Sequence, residues 1–441
     1  MTRSTLQTQT GWGRYPAAEA RIERVRSVDD LCRIAAEPPK ARLAQGYRRS
    51  YGDACLASTA VDVTRLRRLL AFDADAGVLT VEAGVTLDAI IRFALPRGWF
   101  LPVTPGTKFP TLGGCVAVDV HGKNHHRNGS LAAFVDSIDI VLAGGERVRC
   151  SRSEDPELFW STLGGMGLTG FIYAVTLRLR AVAGVWMDTT SVRTGSLRES
   201  CDVLRETQDD HTYSVAWVDL IASGSRCGRG IVSLGDHASE SRGNRPLHRS
   251  RLTTFPPLPA GTLNSLSLRC FNAARYRSQL RRRWKQRQHY DTFFYPLDRW
   301  AGWNRAYGRR GFLQYQLVVP FAGGLEVMAE VIAASRKAAP CSLAVLKTFG
   351  DHPAGPLSFP MPGYTLALDF PRTRRIVEQL RQLTPSVIAA GGRVYLAKDA
   401  ILKADQFEAM YPRLDEFCRV HQRVDPAGHF ASLQSQRLGL T

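Results

Sequence analysis

The run Gly165-Met166-Gly167-Leu168-Thr169-Gly170 spells G-x-G-x-x-G, and its flanks constrain the fold more than the glycines do. In a dinucleotide-binding βαβ unit such a turn follows a strand and opens a helix whose N-terminus meets the pyrophosphate. Here the order is reversed. Asp155 to Leu163 has helical character, while Phe171-Ile172-Tyr173-Ala174-Val175-Thr176-Leu177 reads as a strand. A Rossmann nicotinamide site is therefore excluded, and these glycines remain a turn that can still touch a cofactor.

Other elements before residue 183 are short and mixed. Ser27 precedes the stripe Leu31, Ile34 and Ala35, with Asp29 and Asp30 where a helix dipole favours carboxylates, which predicts a helix stopped by Pro38-Pro39. Arg42-Leu43-Ala44 reads as a strand. Val78 to Ala83 is another, followed by a helix capped by Thr86, striped by Leu87, Ile90, Ile91 and Ala94, and stopped by Pro96. Ile138 to Leu142 and Arg147 to Cys150 flank Ala143-Gly144-Gly145-Glu146 as a β-hairpin. The fold class is α+β.

From about Ala183 longer alternating strands begin, such as Tyr213 to Asp219 and Phe312 to Val319, which predicts a second domain on an antiparallel sheet. With 441 residues the chain can bury two cores. Gly323 to Arg336 and Arg374 to Leu383 carry helical stripes. Residues 236 to 290, rich in Arg, Ser, Pro and Gly and containing Pro256-Pro257-Leu258-Pro259, are expected to be mobile loops.

Two stretches are candidate ligand loops. One joins Pro105-Gly106-Thr107 and Thr111-Leu112-Gly113-Gly114-Cys115-Val116-Ala117 to His121-Gly122-Lys123-Asn124-His125-His126; the other is Gly46 to Asp53. Glycine takes positive φ without a Cβ penalty, so Gly106, Gly113 and Gly114 suit a turn that offers N–H groups to a pyrophosphate. They equally suit a glycine-rich hairpin followed by a solvated polar turn. No metal is expected at the histidines, because no carboxylate or cysteine ligand follows at close spacing. Nine scattered cysteines read as reduced thiols of a cytoplasmic protein, and the absence of an apolar h-region or an eighteen-residue apolar run predicts neither a signal peptide nor a membrane span. A formal charge of +18 permits nucleic acid, an anionic membrane or an anionic substrate as partner.

Five blocks together resemble one family: Gly46 to Asp53, Thr107 to Ala117, His121 to His126, the Gly165 turn and Gly391-Gly392-Arg393-Val394-Tyr395-Leu396-Ala397-Lys398-Asp399. They look like FAD-binding proteins of the vanillyl-alcohol oxidase and p-cresol methylhydroxylase type. Trp303 to Gly308, Gly311 to Gln316 and Pro356 to Pro360 narrow the resemblance to its decaprenylphosphoryl-β-D-ribose 2'-oxidase family.

The resemblance implies an FAD-binding domain over 1–184, completed by 391–441, and a substrate domain over 185–390. It places Gly46, Tyr47, Arg48, Arg49, Ser50, Tyr51, Gly106, Thr107, Thr111, Leu112, Gly113, Gly114, Ala117, His121, Gly122, Lys123, Asn124, Ile172 and Tyr395 near FAD. Substrate contacts fall on His121, Lys123, Trp217, Tyr307, Gln314, Gln316, Lys347, Tyr395 and Lys398. Tyr51 stands where covalent members carry the flavin-linking histidine, so FAD is expected to bind non-covalently. Lys398 would position the substrate hydroxyl and stabilise charge, with His121 and Tyr51 both open as proton acceptors.

The implied reaction oxidises a polyprenyl-phosphate ribose to its 2'-keto sugar, and a short-chain reductase then completes epimerisation to an arabinose donor for cell-wall or glycan synthesis. A soluble alditol or sugar-lactone oxidase is the rival enzyme. A nucleic-acid-binding protein is the rival of another class, and no nucleic acid is expected. Arg281 to Arg287, with Trp284, is a candidate for peripheral contact with the inner face of the plasma membrane. One departure stands out: the family's best-known members carry an inhibitor-trapping cysteine where this chain has Ala367.

Overall fold

The computed structural model describes residues 5–38, 41–222, 224–240, 253–256, 258–259 and 261–441. Pro39, Pro257 and the 241–252 portion of the expected loops lie outside these residues.

Two sheets build the N-terminal part. A four-stranded sheet runs in the order Thr5–Thr10, Ala17–Arg24, Thr59–Asp62, Arg42–Gln45. Helix Val28–Ala35 connects its strands, with Ser27 Oγ accepting from Asp30 N at 3.2 Å and Leu31, Ile34 and Ala35 buried. A five-stranded sheet runs Leu69–Asp73, Val78–Glu82, Phe171–Arg178, Val135–Val141, Arg147–Ser151. Its hairpin sets Ile138 opposite Cys150. Helix Pro156–Thr162 precedes the Gly165 turn, and the strand after that turn is the sheet's centre. Thr86 caps helix Leu87–Ala94 by accepting from Ala89 N.

The glycines near residue 113 depart from expectation. Leu112–Ala117 is a short helix capped by Thr111, and neither hairpin nor left-handed turn forms: Gly106, Gly113 and Gly114 all lack positive φ. Gly113 is required by proximity instead, because a Cβ there would sit 2.7 Å from the Ala83 Cβ at the end of the neighbouring strand.

An eight-stranded antiparallel sheet dominates the second part. Its order is Arg283–His289, Trp186–Thr194, Arg229–His237, Tyr213–Asp219, Leu343–Phe349, Gly363–Pro371, Phe312–Val319, Arg393–Val394. Alternation decides what each face does. Ala216, Val218, Val232, Leu234, Leu346, Leu366 and Leu368 join a core with residues of helices Leu197–Glu206, Phe321–Ala338 and Arg374–Ala389. Each fully buried leucine there contributes about 2 kcal/mol. The intervening residues form the opposite face, which is left for the site.

The expectation of loops over 236–290 is corrected by the described residues. Strand Arg229–His237 reaches into that stretch, Ser265–Ser278 is a helix capped by Asn264, and Arg283–His289 is the sheet's edge strand. Arg287 lies opposite Asp188 and pairs with it at 2.7 Å. Charged residues are tolerated on an edge strand because they discourage further pairing, and this erases the apolar alternation that would announce a strand. Beyond Val394 the tail returns to the N-terminal sheets, where Phe430 packs on Phe171 with ring centroids 4.8 Å apart.

Candidate active site

A cavity of about 1830 Å³ lies between the N-terminal loops and the free face of the large sheet. Sites for one small ligand usually span roughly 300–1000 Å³, so this one has room for a cofactor and a second molecule. Gly46, Tyr47, Arg48, Arg49, Ser50, Tyr51, Gly106, Thr107, Thr111, Gly113, Gly114, Ala117, Gly122 and Ile172 line one side, and His121 and Lys123 stand where it meets the other. Trp217, Tyr307, Gln314, Gln316, Lys347, Tyr395 and Lys398 line the other. Two expected residues do not reach it. Leu112 is fully buried in the core, its N–H donating to Val85 O, and Asn124 turns its amide to Pro102 O at 2.9 Å and Asn128 Oδ1 at 3.1 Å, bracing the turn from behind.

The first wall is made by close packing. A Cβ on Gly46 would fall 2.5 Å from Thr111 Oγ1, the atom that caps the short helix, whereas one on Gly106 would meet nothing within 4 Å. Arg49 lies over the Trp12 ring at 4.2 Å, and its buried Nε has no partner. Tyr51 N donates to Ala397 O at 3.0 Å, which sets the Gly46 loop directly against the Lys398 segment.

The second wall carries buried charge. Lys398 Nζ lies 3.6 Å from the centroid of the Tyr51 ring. Burial pushes its ammonium down, opposed by Asp369, whose own carboxyl burial pushes up, and assisted by Lys347. Burial also pushes Lys347 down to about 8, and Lys123 to about 7 with help from Lys347. Lys123 donates to the Phe293 carbonyl and lies 4.4 Å from that residue's ring centroid.

His121 is held neutral, well below the usual histidine range, by burial and then by Lys347; its Nε2 is 3.0 Å from Gln316 Nε2 and its Nδ1 has no partner. Burial, and then the nearby Asp369 charge, push Tyr51 well above the usual phenol range, so it keeps its proton. Tyr307 stacks on Phe312 at 4.1 Å and shares a 2.6 Å hydrogen bond with Ser342. Tyr395 donates its hydroxyl to Val118 O at 3.0 Å, presenting a ring rather than a hydroxyl to the cavity.

Known proteins match both walls. A family model described as an FAD binding domain matches residues 16–151, and one described as D-arabinono-1,4-lactone oxidase matches residues 372–438. The decaprenylphosphoryl-β-D-ribose oxidase of Mycolicibacterium smegmatis is 36% identical over 99% of this chain and 98% of its own length. The chain belongs to the decaprenylphosphoryl-β-D-ribose oxidase family. An uncharacterised Streptomyces coelicolor protein is 36% identical over 81% of this chain and all of its own length; human Δ24-sterol reductase is 30% identical over 26% of this chain and 22% of its own length.

As a member of this family the chain is an FAD-dependent oxidoreductase. Its residues fit that cofactor. The cradle keeps Gly46 and Gly106 bare, and Arg49 brings an orphaned buried donor to the same wall, where an anion would satisfy it. Gly46 to Tyr51 and Gly106 to Ala117 would hold the group.

Two residues of this family member were not anticipated from sequence. Asp369 is fully buried, accepts from Gln314 Nε2 at 2.5 Å on Oδ1, and leaves Oδ2 without a partner. A lone carboxylate inside Leu366-Ala367-Leu368-Asp369-Phe370 was the available signal. Arg437, near the end of the chain, bridges Asp53 and Asp399 at 2.8 Å each, and so clamps the residues next to Tyr51 and Lys398 together. A Cβ on Gly52 would lie 1.7 Å from Asp399 O, which is why no side chain fits inside that clamp.

Proposed function

We propose that this chain oxidises the 2'-hydroxyl of a polyprenyl-phosphate ribose to the 2'-keto sugar. The observation that carries the reading is the trio of buried lysines on the cavity, Lys123, Lys347 and Lys398: burial disfavours the charged form of each, and an anionic substrate would favour it again. The M. smegmatis relative is named for such a substrate.

FAD, when bound, accepts the hydride that leaves the carbinol carbon with its bonding pair. The protein handles the proton. Tyr51 retains its own proton, and the His121 Nε2 is engaged with Gln316. Burial lowers the Lys398 ammonium and raises the carboxyl of Asp369 beside it, so the pair is set up to take a proton, and the hydroxyl proton passes to Lys398 Nζ as the carbonyl forms. The resulting ammonium, facing the cofactor wall, then offsets negative charge there, an effect worth about 3 kcal/mol in a dry site. Lys123 and Lys347 hold the phosphate, His121 and Gln316 offer uncharged polar groups to the sugar, and FAD is held non-covalently.

Anaerobic addition of a prenyl-phosphoribose to the yellow holoenzyme tests the reading. Bleaching by the lipid-linked sugar and none by free polyols is expected. The reverse preference would favour a soluble alditol or sugar-lactone oxidase, the reading to which the 372–438 match points.

The product is a ketone, so a short-chain reductase is the partner that completes the epimerisation. No helix among the described residues is long and apolar enough to cross a membrane. Contact with the inner face of the plasma membrane would come instead from Arg281, Arg282, Arg283 and Trp284 beside the exposed Leu280. Anionic liposomes should float the protein, and replacing those arginines with serine should abolish flotation.

A further inference from the structure

The cavity does not end at the lysines. Strand register extends its floor across the sheet: Val215 lies opposite Ser233, Ser233 opposite Ser191, and Ser191 opposite Trp284 on the edge strand. All four line the cavity. Val215 is two residues from Trp217 on the same face, and Trp217 lies opposite Val345, itself two residues from Lys347. Three strand spacings carry this row about 14 Å from Val215 to the edge. The two serines lower the floor between larger side chains, leaving a trough.

Helix Ser265–Ser278 roofs the trough. Leu268 and Phe271 line the cavity from above, and Arg275 lies 4.9 Å from the Trp217 ring centroid. The helix is pinned by Asn272 Nδ2 to Asp219 Oδ1 at 2.8 Å and by the Tyr276 hydroxyl to Thr194 O at 3.2 Å. At the far end Leu280 is 85% exposed and Trp284 44%.

We infer that this trough takes the prenyl tail of the substrate, leading it from the lysines, under the helix, and out over Leu280 and Trp284. The assignment rests on the reading of the reaction above and adds the route of the lipid. A tail laid here removes apolar surface of substrate and protein from water together, and it leaves the molecule where exposed apolar and basic residues meet.

Two substrates differing only in tail length, one isoprene against ten, test the route. In the wild-type holoenzyme the long tail should lower KM. Ser233→Phe, which fills the trough, should raise KM for the long substrate about tenfold while the short-substrate KM stays within about twofold. An unchanged ratio of the two KM values in a flavin-loaded variant overturns the route.

A decaprenyl phosphate bearing a diazirine on the third isoprene unit from the phosphate, photolysed on the wild-type holoenzyme, gives a second reading that does not depend on the variant's folding. Adducts within 265–284 are expected, and adducts confined to other segments overturn the proposal. Turnover of neither substrate by the wild type would defeat the proposed reaction instead, and the photolabel would still decide where a prenyl chain lies.

Discussion

The two walls of the cavity are built on opposite principles. On the side proposed for the cofactor the protein removes side chains, so that Gly46 and Gly113 let Thr111 and Ala83 approach to distances no Cβ would allow. On the side proposed for the substrate it adds long basic side chains and buries them, with Asp369 favouring the charged form of Lys398. Shape is specified by the first wall and chemistry by the second. Damage to the first should therefore cost the cofactor, and damage to the second should cost rate or affinity with the cofactor in place.

Gly46→Val is the hardest test of that division. The new side chain collides with Thr111, whose Oγ1 caps the short helix through Gly114 N at 3.3 Å. The purified variant should be colourless, and a fully yellow, active Gly46→Val protein would break the comparison. Lys398→Met should behave in the opposite way. Its flavin spectrum should match the wild type while kcat falls about 10³-fold, because an acid–base group and a cation are lost together. Stopped-flow measurement of flavin reduction reads this directly.

The same division decides what sequence reveals. Glycine patterns are local, so the first wall of the cavity is legible in the Gly46 and Thr111 stretches, and helices announce themselves through Ser27 and Thr86. The family resemblance supplied Lys347 and Lys398; composition alone leaves each indistinguishable from a surface lysine. Asp369 stayed hidden because its meaning depends on Gln314 and Lys398, which reach it only through sheet pairing and the returning tail. Arg437 stayed hidden for the same reason, its partners lying at Asp53 and Asp399. The edge strand Arg283–His289 was missed because its exposed face needs no apolar residues.

A pair of substitutions sharpens the account of the charged wall with smaller effects. If neutral Lys398 takes the proton, kcat/KM rises with pH through the pKa that burial has lowered and that Lys398 shares with Asp369, and levels off above it. Lys347 disfavours the ammonium of Lys398, so Lys347→Met raises the Lys398 pKa and moves that limb to higher pH. It also raises KM about tenfold by removing a phosphate contact. Asp369 favours the ammonium, so Asp369→Asn lowers the pKa and moves the limb to lower pH, by about one pH unit. Opposite displacements are expected from pH–rate profiles of the two variants. Displacement in the same direction would mean that the titrating group is not Lys398.

The smallest effect on turnover is expected at Ala367, which sits on the cavity floor between Val345 and Gln316. Its methyl group offers no thiol to an electrophile at this position. Ala367→Cys adds one sulfur toward open space, so kcat should stay within about twofold. The variant should nonetheless gain a mass adduct from such an electrophile that maps to the 363–371 strand, while the natural chain gains none there. Cys55 and Cys115 also line the cavity, and burial pushes both thiols above their usual range, which disfavours the reactive thiolate. Peptide mapping therefore separates a site-specific adduct at residue 367 from adventitious labelling. An adduct on the 363–371 strand of the natural chain would show that the thiol's position is not what governs trapping on this wall.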